Sequence, residues 1–260
     1  EKMLGLGHAI SLAKEFHQND EDVFIVLGDT VFDADLKACF DRDKSAIGVK
    51  EVEDPRRFGV VETDSNGNVK KLIEKPECPT SNLAIVGLYY LKQPQLLFDC
   101  LDELIQNNKQ TKNEYQLTDG LQMMLDKGYE MSVFNIDGWY DCGKKDTVLT
   151  TNRELLELGQ KNGNIPKIQR YQNSIIIPPV ALHSSVKVVN SVIGPYVTIS
   201  ENTVVESSII RNSVIGEHCA ISSLLLDESL IGDNCKIVGD LRSLNIGDSS
   251  EIHFTKNTNL

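Results

Sequence analysis

Aromatic residues, positive charges and long apolar runs are all scarce in this sequence, and each shortage excludes a class of protein. Aromatics make up 6% of the chain, and 26 Lys and Arg stand against 38 Asp and Glu, for a formal net charge of −12. A general nucleic-acid surface needs clustered basic side chains to neutralise phosphates, so we expect no nucleic-acid partner. No apolar run approaches the roughly 20 residues that cross a bilayer, so we expect no membrane span.

Recognisable metal and nucleophile motifs are also missing. The six cysteines contain no C-x-x-C pair, and the five histidines show no metal-cluster spacing. Scattered single thiols are typical of a reduced, cytoplasmic protein rather than of a disulfide frame or a zinc site. There is no G-x-S-x-G, P-loop or H-E-x-x-H motif. At 260 residues and 40% hydrophobic, the chain is long enough for one or two domains with a sizeable core.

Up to about residue 160 the chain alternates strand-like and helix-like segments, which predicts an α/β domain over residues 1–160. Residues 23–27 (VFIVL) form a continuous apolar run, typical of a parallel strand buried on both faces. Residues 64–68 (DSNGN) predict a hairpin turn. Further strands are predicted at 45–49, 59–62, 69–73 and 84–90. Apolar residues at helical spacing predict helices around 9–16, 97–105 and 117–125.

After a polar hinge around residues 159–164, a different repeat begins. The dipeptide Ile-Gly starts at residues 193, 215, 231 and 246, and another Ile follows each dipeptide's Ile six residues later. A hexad of this kind places one aliphatic residue inside each turn of a coil. Residues 161–260 are therefore predicted to form a parallel β-helix, with four to five coils over 173–253. Similarity to hexapeptide-repeat proteins implies that the coil is left-handed.

Two aspartates are candidate metal ligands. Asp29 follows the apolar run 23–27 after a glycine, and ligands in open α/β sheets bind beyond the carboxyl ends of strands. Asp141 lies in WYDCG (139–143) and could bring a second carboxylate to the same Mg²⁺. The alternative is that both aspartates cap a turn or helix and that Trp139 belongs to the core.

Other residues are candidates for binding a sugar, a phosphate or a nucleobase. The Glu74 carboxylate could accept hydrogen bonds from sugar hydroxyls while the Lys75 ammonium pairs with a phosphate, although both could also lie at a solvated strand end. Gly59 and Gly87 would let a flat ligand approach the backbone. Gly5 opens the first helix in a turn that could offer backbone N–H groups to a base edge or a phosphate.

Seven motifs occur in an order that resembles the sugar-1-phosphate nucleotidylyltransferases, above all glucose-1-phosphate thymidylyltransferases with a C-terminal left-handed β-helix. They are GLGHA (5–9), VLGD (26–29), FGVVE (58–62), IEKP (73–76), NLAIVGLYY (82–90), EYQLTD (114–119) and WYDCG (139–143).

The resemblance implies a Rossmann-like nucleotidyltransferase domain that joins a sugar 1-phosphate to a nucleoside triphosphate, with dTTP favoured and UTP possible. It implies that Asp29 and Asp141 bind Mg²⁺. It also implies that these two aspartates act in catalysis together with Lys75, which holds the sugar phosphate. Glu74 would bind sugar hydroxyls, Gly59 and Gly87 would contact the sugar through their backbone, and Gly5 would lie near the nucleobase.

One departure from the family pattern matters. The first strand and its loop of the form G-G-x-G-T-R, which grip the triphosphate, are absent from the sequence, so we expect the domain to be incomplete at its start and the chain alone to be inactive. The alternative is a noncatalytic subunit that binds sugar nucleotides. Acyl transfer by the β-helix, with His183 or His218 as base, is a third hypothesis. We also expect a homo-oligomer, with the β-helix as an oligomerisation or regulatory element that carries no chemistry.

Overall fold

The computed structural model describes residues 3–17, 21–40, 43–163 and 171–239. The chain folds into two compact units, residues 1–144 and 145–260. The division comes before residue 160 because the helix Lys145–Lys161 belongs with the second unit. None of the helices in these described ranges is long and apolar enough to span a membrane.

The first unit has the mixture of strands and helices that the sequence predicts. Its described strands are β1 (Val23–Val26), β2 (Thr30–Asp33), β3 (Ser45–Glu51), β4 (Gly59–Thr63), β5 (Val69–Glu74), β6 (Leu83–Leu91), β7 (Met131–Asn135) and β8 (Gly138–Asp141). Its described helices are α1 (Leu6–Ser11), α2 (Leu36–Phe40), α3 (Pro94–Gln106) and α4 (Leu117–Asp126). The predicted α/β class is therefore confirmed, although α1 is shorter than expected and ends in a 3₁₀ turn over Leu12–Phe16.

A mixed sheet in the order β5-β4-β6-β3-β7 forms the centre of this unit, and β1 also pairs with β6. Among its pairings only β3–β7 is parallel. The prediction that residues 23–27 form a parallel strand buried on both faces is wrong. Strand β1 runs antiparallel to β6 and pairs with no other described strand, so it is an edge strand, and Val26 is 45% exposed.

Apolar side chains form two clusters in this unit. The larger includes Val61, Leu72 and Leu91 from the sheet and Leu101 and Leu121 from α3 and α4, all nearly inaccessible to solvent. The smaller includes Ala46, Val86, Leu88, Phe134 and Ile136. Strand β6 contributes to both clusters, as expected for a central strand that is buried on its two faces. The predicted hairpin is present, since Asp64 N donates to Asn68 O over 2.9 Å.

The second unit begins with helix α5 (Lys145–Lys161), which runs through the expected hinge at Gly159. The strands that follow are β9 (Ile175–Ile176), β10 (Val180–Leu182), β11 (Lys187–Val189), β12 (Val192–Ile193), β13 (Val197–Ile199), β14 (Val204–Glu206), β15 (Ile209–Ile210), β16 (Ser213–Ile215), β17 (Ala220–Ser222), β18 (Leu225–Leu226), β19 (Leu230–Ile231) and β20 (Lys236–Val238). They form three parallel sheets of four strands each, so the predicted parallel β-helix is confirmed.

The isoleucine hexads line the interior of this β-helix. Ile193, Ile199, Ile215 and Ile221 are each at most 1% exposed and pack in one aliphatic cluster. Successive coils stack their buried aliphatic residues in register, with Ile199 beside Ile215 and Ile193 beside Ile210, which is how a short repeat builds a continuous core. The last hexad, at residues 246–252, lies outside the described residues. The handedness of the coil stays a prediction.

Candidate active site

Strand β6 changes partner at Gly87, and a cavity opens at that point. One edge of β6 pairs with β3 along most of its length, while the other edge pairs with β4 at Ala84 and with β1 from Leu88 onward. Gly87 lies between the two partners with φ +83°, a left-handed conformation that glycine adopts at little cost. Its carbonyl accepts a 3.0 Å hydrogen bond from Leu27 N, which fixes the end of β1.

The cavity has a volume of about 320 Å³, and its lining comes from several separate segments of the first unit. The predicted site residues that line it are Asp29, Gly59, Glu74, Lys75, Gly87 and Asp141. Gly5 is not among its lining residues, although the next residue, Leu6, is. Six residues from five separate places in the sequence therefore meet at one place in the fold.

Asp29 and Asp141 lie on neighbouring backbone segments. Strands β2 and β8 pair antiparallel with Thr30 opposite Asp141, and Cys142 N donates to Asp29 O over 2.8 Å. A Cβ atom placed on Gly143 would lie 3.2 Å from Asp141 Oδ1 and 3.3 Å from Asp29 Oδ2. The two oxygens are thus at most 6.5 Å apart, the sum of these distances. Asp141 Oδ1 also accepts the Gly143 N–H, so it forms the turn that the alternative interpretation expects.

Glu74 and Lys75 are held at the end of β5. Glu74 Oε2 accepts a 2.7 Å hydrogen bond from Thr118 Oγ1, and Glu74 Oε1 lies 3.4 Å from Lys75 Nζ. The Glu74 side chain is 9% exposed, whereas that of Lys75 is 45% exposed. Lys75 has φ +44°, and its N–H donates to Phe58 O. The carboxylate is therefore fixed while the ammonium can reach a ligand.

Gly59 leaves room for this carboxylate. Gly59 pairs with Glu74 across β4 and β5, and a Cβ atom there would lie 3.1 Å from both Glu74 Oε2 and Thr118 Oγ1. Gly5, by contrast, allows close packing between two backbone segments. It has φ +101°, and a Cβ on it would lie 2.7 Å from Tyr115 O, so the turn packs tightly on residues 114–115.

Four further cavity residues were not singled out by the sequence reasoning as ligand contacts. Arg57 immediately precedes the motif FGVVE, and Thr118 belongs to the motif EYQLTD. Both residues therefore lie in or next to motifs that the sequence analysis identified. Trp139 packs edge-on to Phe58, with ring centroids 4.8 Å apart. Its buried Nε1–H has no hydrogen-bond partner among the described residues, which is uncommon for a buried polar group. Burial, and secondarily the charge of Glu74, raises the pKa of the Tyr89 phenol, which stays protonated.

Negative charge dominates the cavity. Its described lining includes four carboxylates, those of Asp29, Glu74, Glu114 and Asp141, and two cationic side chains, those of Arg57 and Lys75. A phosphate-bearing ligand would be repelled by this excess unless a cation entered with it. The arrangement therefore suits a metal-accompanied phosphate compound.

Residues 1–157 match the nucleotidyl transferase family, and this segment is more than half of the chain. The chain belongs to that family. The matched segment contains the whole described cavity, so the residues that line it are those of the family domain.

Individual relatives are similar over parts of their length. The low-salt glycan biosynthesis nucleotidyltransferase Agl11 of Haloferax volcanii is 36% identical over 160 residues, which is 59% of this chain and 43% of the relative. The glucose-1-phosphate thymidylyltransferase of Streptomyces griseus is 28% identical over 224 residues, which is 78% of this chain and 61% of the relative. A crystal structure of UDP-glucose pyrophosphorylase with UDP-glucose superposes with a TM-score of 0.49 and 26% identity, covering 60% of this chain and 64% of that one. The chain thus spans roughly half of the curated relatives' length.

Proposed function

We propose that the nucleotidyl transferase domain in this chain, once completed by the glycine-rich loop that the resemblance implies, transfers a nucleotidyl group from a nucleoside triphosphate to a sugar 1-phosphate. The observation that carries the proposal is the cavity at Gly87, which Asp29, Asp141, Glu74 and Lys75 line together. An oxygen of the sugar phosphate attacks the α-phosphorus of the triphosphate. The bond from that phosphorus to the oxygen bridging the β-phosphate breaks, and pyrophosphate leaves with the electron pair. The products are a nucleoside diphosphate sugar and pyrophosphate.

Asp29 and Asp141 would hold Mg²⁺ in this reaction. The two residues fit the ion, because carboxylate oxygens are its preferred ligands and Mg²⁺ keeps several waters that can span part of a separation of up to 6.5 Å. The excess of carboxylates in the cavity also favours a bound cation. When bound, the ion would neutralise phosphate charge and polarise the reacting phosphoryl group.

The remaining site residues would bind and align the sugar 1-phosphate. The Lys75 ammonium would pair with the sugar phosphate, and Glu74, oriented by Thr118, would accept hydrogen bonds from sugar hydroxyls. Gly59 and Gly87 would let the sugar approach the backbone, and Gly5, next to the cavity residue Leu6, would lie towards the nucleobase. Alignment of this kind supplies much of the rate in phosphoryl transfer.

We propose glucose 1-phosphate as the sugar substrate and dTTP as the favoured nucleotide, with UTP as the second choice. The proposal is supported by the Streptomyces griseus relative, whose name gives this specificity and whose similarity extends over 78% of the chain. The name of the Haloferax volcanii relative specifies neither base nor sugar.

The chain alone is expected to bind sugar 1-phosphate without turning it over. Arg57 and Lys75 are the cations of the described lining, and a triphosphate brings about four negative charges of its own at neutral pH. With Mg²⁺ present, calorimetry should detect glucose 1-phosphate binding, while an assay with dTTP and glucose 1-phosphate should release no pyrophosphate. Robust turnover by the 260-residue chain would contradict this expectation.

A fusion protein tests the transferase proposal itself. A strand followed by a loop of the form G-G-x-G-T-R, which the resemblance to the family implies, would be joined ahead of Glu1, and pyrophosphate release would be measured over a panel of sugar 1-phosphates. Turnover that prefers glucose 1-phosphate supports the proposal. Binding without turnover in a folded fusion would favour the alternative, a noncatalytic subunit that binds sugar nucleotides.

We also propose that the β-helix joins copies of this chain into a homo-oligomer. The outward-facing residues of one sheet are all aliphatic and stack in register, and three of them are 48–69% exposed. They are Ile175, Val192, Ile209 and Leu225. The same row on a second copy has the same coil spacing and offers matching apolar surface. Sedimentation of Ile209→Lys should give a smaller species than wild type, and identical behaviour would contradict the proposal.

A further inference from the structure

Three side chains of types that can ligate a metal meet at one corner of the β-helix, far from the nucleotidyl transferase motifs in sequence. Glu201 lies at the turn after β13, and Glu217 and His218 lie at the equivalent turn after β16. One ligand atom from each of the three residues lies within 4.8 Å of the other two. The five histidines show no metal spacing in the sequence, and the stacking of coils is what brings these groups together.

The backbone at this corner is fixed by hydrogen bonds between coils. His218 N donates to Glu201 O over 2.9 Å, and Asn234 N donates to Glu217 O over 2.8 Å. Glu217 N donates to Asp233 Oδ1 over 2.9 Å, so Asp233 holds the corner from the next coil. The side chains thus project from a rigid frame, which reduces the entropy lost when a ligand orders them.

The polar ends of these three side chains are available to a ligand. Within the described part of the chain, neither the carboxylates of Glu201 and Glu217 nor the imidazole of His218 makes a hydrogen bond or an ion pair. By contrast, His183, elsewhere in the same β-helix, shares a 2.8 Å hydrogen bond with Ser185 Oγ. Two unneutralised carboxylates held next to each other in a chain of net charge −12 favour a bound cation.

We propose that Glu201, Glu217 and His218 bind a divalent transition-metal ion of the zinc type, which ties two neighbouring coils together. Because the three ligand atoms are at most 4.8 Å apart, one point lies within about 2.8 Å (4.8/√3) of all of them. Zinc–ligand distances are about 2.0–2.2 Å, so rotations of these partly exposed side chains would close the remaining gap. Water would complete the coordination.

The ligand set distinguishes this site from the proposed magnesium site. Imidazole suits zinc, cobalt and nickel, whereas Mg²⁺ prefers oxygen ligands alone. The neighbouring thiol of Cys219 does not join the set, because it is 2% exposed and its sulfur lies 3.1 Å from Gly232 O. The site therefore has nitrogen and oxygen ligands without sulfur.

The test titrates the whole chain with Co²⁺ and with Zn²⁺ in the presence of excess Mg²⁺. We expect one ion per chain, a cobalt spectrum without a thiolate charge-transfer band, and a higher melting temperature with Zn²⁺. His218→Asn is a conservative variant for the backbone, because Asn202 and Asn234 occupy the equivalent corners with φ +57° and His218 has φ +56°.

His218→Asn and Glu201→Gln should each weaken binding by about tenfold or more, since even the loss of a group that only supports a ligand costs about 10–100-fold. The matched control His183→Asn should bind like wild type. The proposal is overturned if wild type binds no ion, if both variants bind as wild type does, or if the cobalt spectrum indicates sulfur ligands.

Discussion

Thr118 Oγ1 donates a 2.7 Å hydrogen bond to Glu74 Oε2, and this contact joins the first turn of α4 to the end of β5. Thr118 is 5% exposed, so water competes little for the carboxylate oxygen. The other oxygen faces the Lys75 ammonium at 3.4 Å. The Glu74 carboxylate is thus oriented on both sides, which lets it present its remaining lone pairs to a ligand in the cavity.

Removal of the Thr118 hydroxyl should weaken sugar 1-phosphate binding. In Thr118→Val, Glu74 loses a hydrogen bond to a charged group, which is worth about 1.5–3 kcal/mol. We expect the dissociation constant for glucose 1-phosphate, measured by calorimetry, to rise by roughly tenfold or more. Thr118→Ser keeps the hydroxyl and is the matched control. Equal affinities of the Val and Ser variants would show that this hydrogen bond does not orient the ligand.

Lys75→Ala should weaken sugar 1-phosphate far more than nucleotide. The ammonium is 45% exposed, so its pairing with phosphate should contribute near the low end for a charged hydrogen bond, about 1.5 kcal/mol or roughly tenfold in affinity. Lys71→Ala, at an exposed position of β5 shortly before Lys75, is the control. Calorimetry of the fusion protein with each ligand separately would check the prediction. Equal losses for the two ligands would contradict the assigned role.

Asp29→Asn and Asp141→Asn should each abolish Mg²⁺-dependent pyrophosphate release by the fusion protein while leaving it folded. Each variant removes one charged oxygen ligand for the ion from a pair at most 6.5 Å apart. Asp33→Asn is a matched control, because Asp33 lies on the same β2–β8 ladder, opposite Gly138. Near-normal turnover of either variant at saturating Mg²⁺ would refute the metal assignment.

Local sequence patterns were sufficient for much of the fold. The isoleucine hexads predict the β-helix because residues six positions apart occupy buried positions on successive strands, and Ile193 and Ile215 are fully buried as expected. Strands β3 to β6 were also predicted within a few residues of their observed bounds. These features depend on periodicity, which the sequence carries directly.

Features that depend on strand pairing were not predictable in this way. An apolar run such as Val23–Val26 indicates a strand but does not indicate its direction or its neighbours, so β1 was wrongly expected to be parallel. Three features depend on residues from different strands, helices or coils: the change of strand partner at Gly87, the Thr118–Glu74 contact, and the proximity of Glu201 to His218. Only the register of the folded chain determines them.

Acid should weaken the first unit partly through Asp64, in the hairpin between β4 and β5. The pKa of Asp64 is lowered from 3.8 to about 2. The largest causes are hydrogen bonds from the Asn68 side chain and backbone, and a hydrogen bond from the Asn66 N–H and the contact with Lys70 add to them. Because the folded pKa is below the unfolded one, the stabilisation is present above pH 3.8 and is lost as the pH falls towards 2. Asp64→Asn should therefore flatten the dependence of unfolding on pH in this window. The fluorescence of Trp139, the single tryptophan, reports on this unit. Parallel curves for variant and wild type would contradict the prediction.

Gly87→Ala should lower both the stability of the first unit and its ligand binding. Any side chain at φ +83° costs about 1–2 kcal/mol, and the new Cβ would lie 2.9 Å from Leu27 Cγ and Cδ1. Leu27 must then move, and Asp29 lies two residues further along the same turn.

Gly67→Ala is the matched control, since Gly67 has φ +78° but no atom within 4 Å of its Cβ position. Denaturant unfolding followed by Trp139 fluorescence should thus show a larger loss of unfolding free energy for Gly87→Ala, with weaker glucose 1-phosphate binding in that variant alone. Equal losses in the two variants would mean that the Leu27 side chain moves aside without cost and that its position does not affect the cavity.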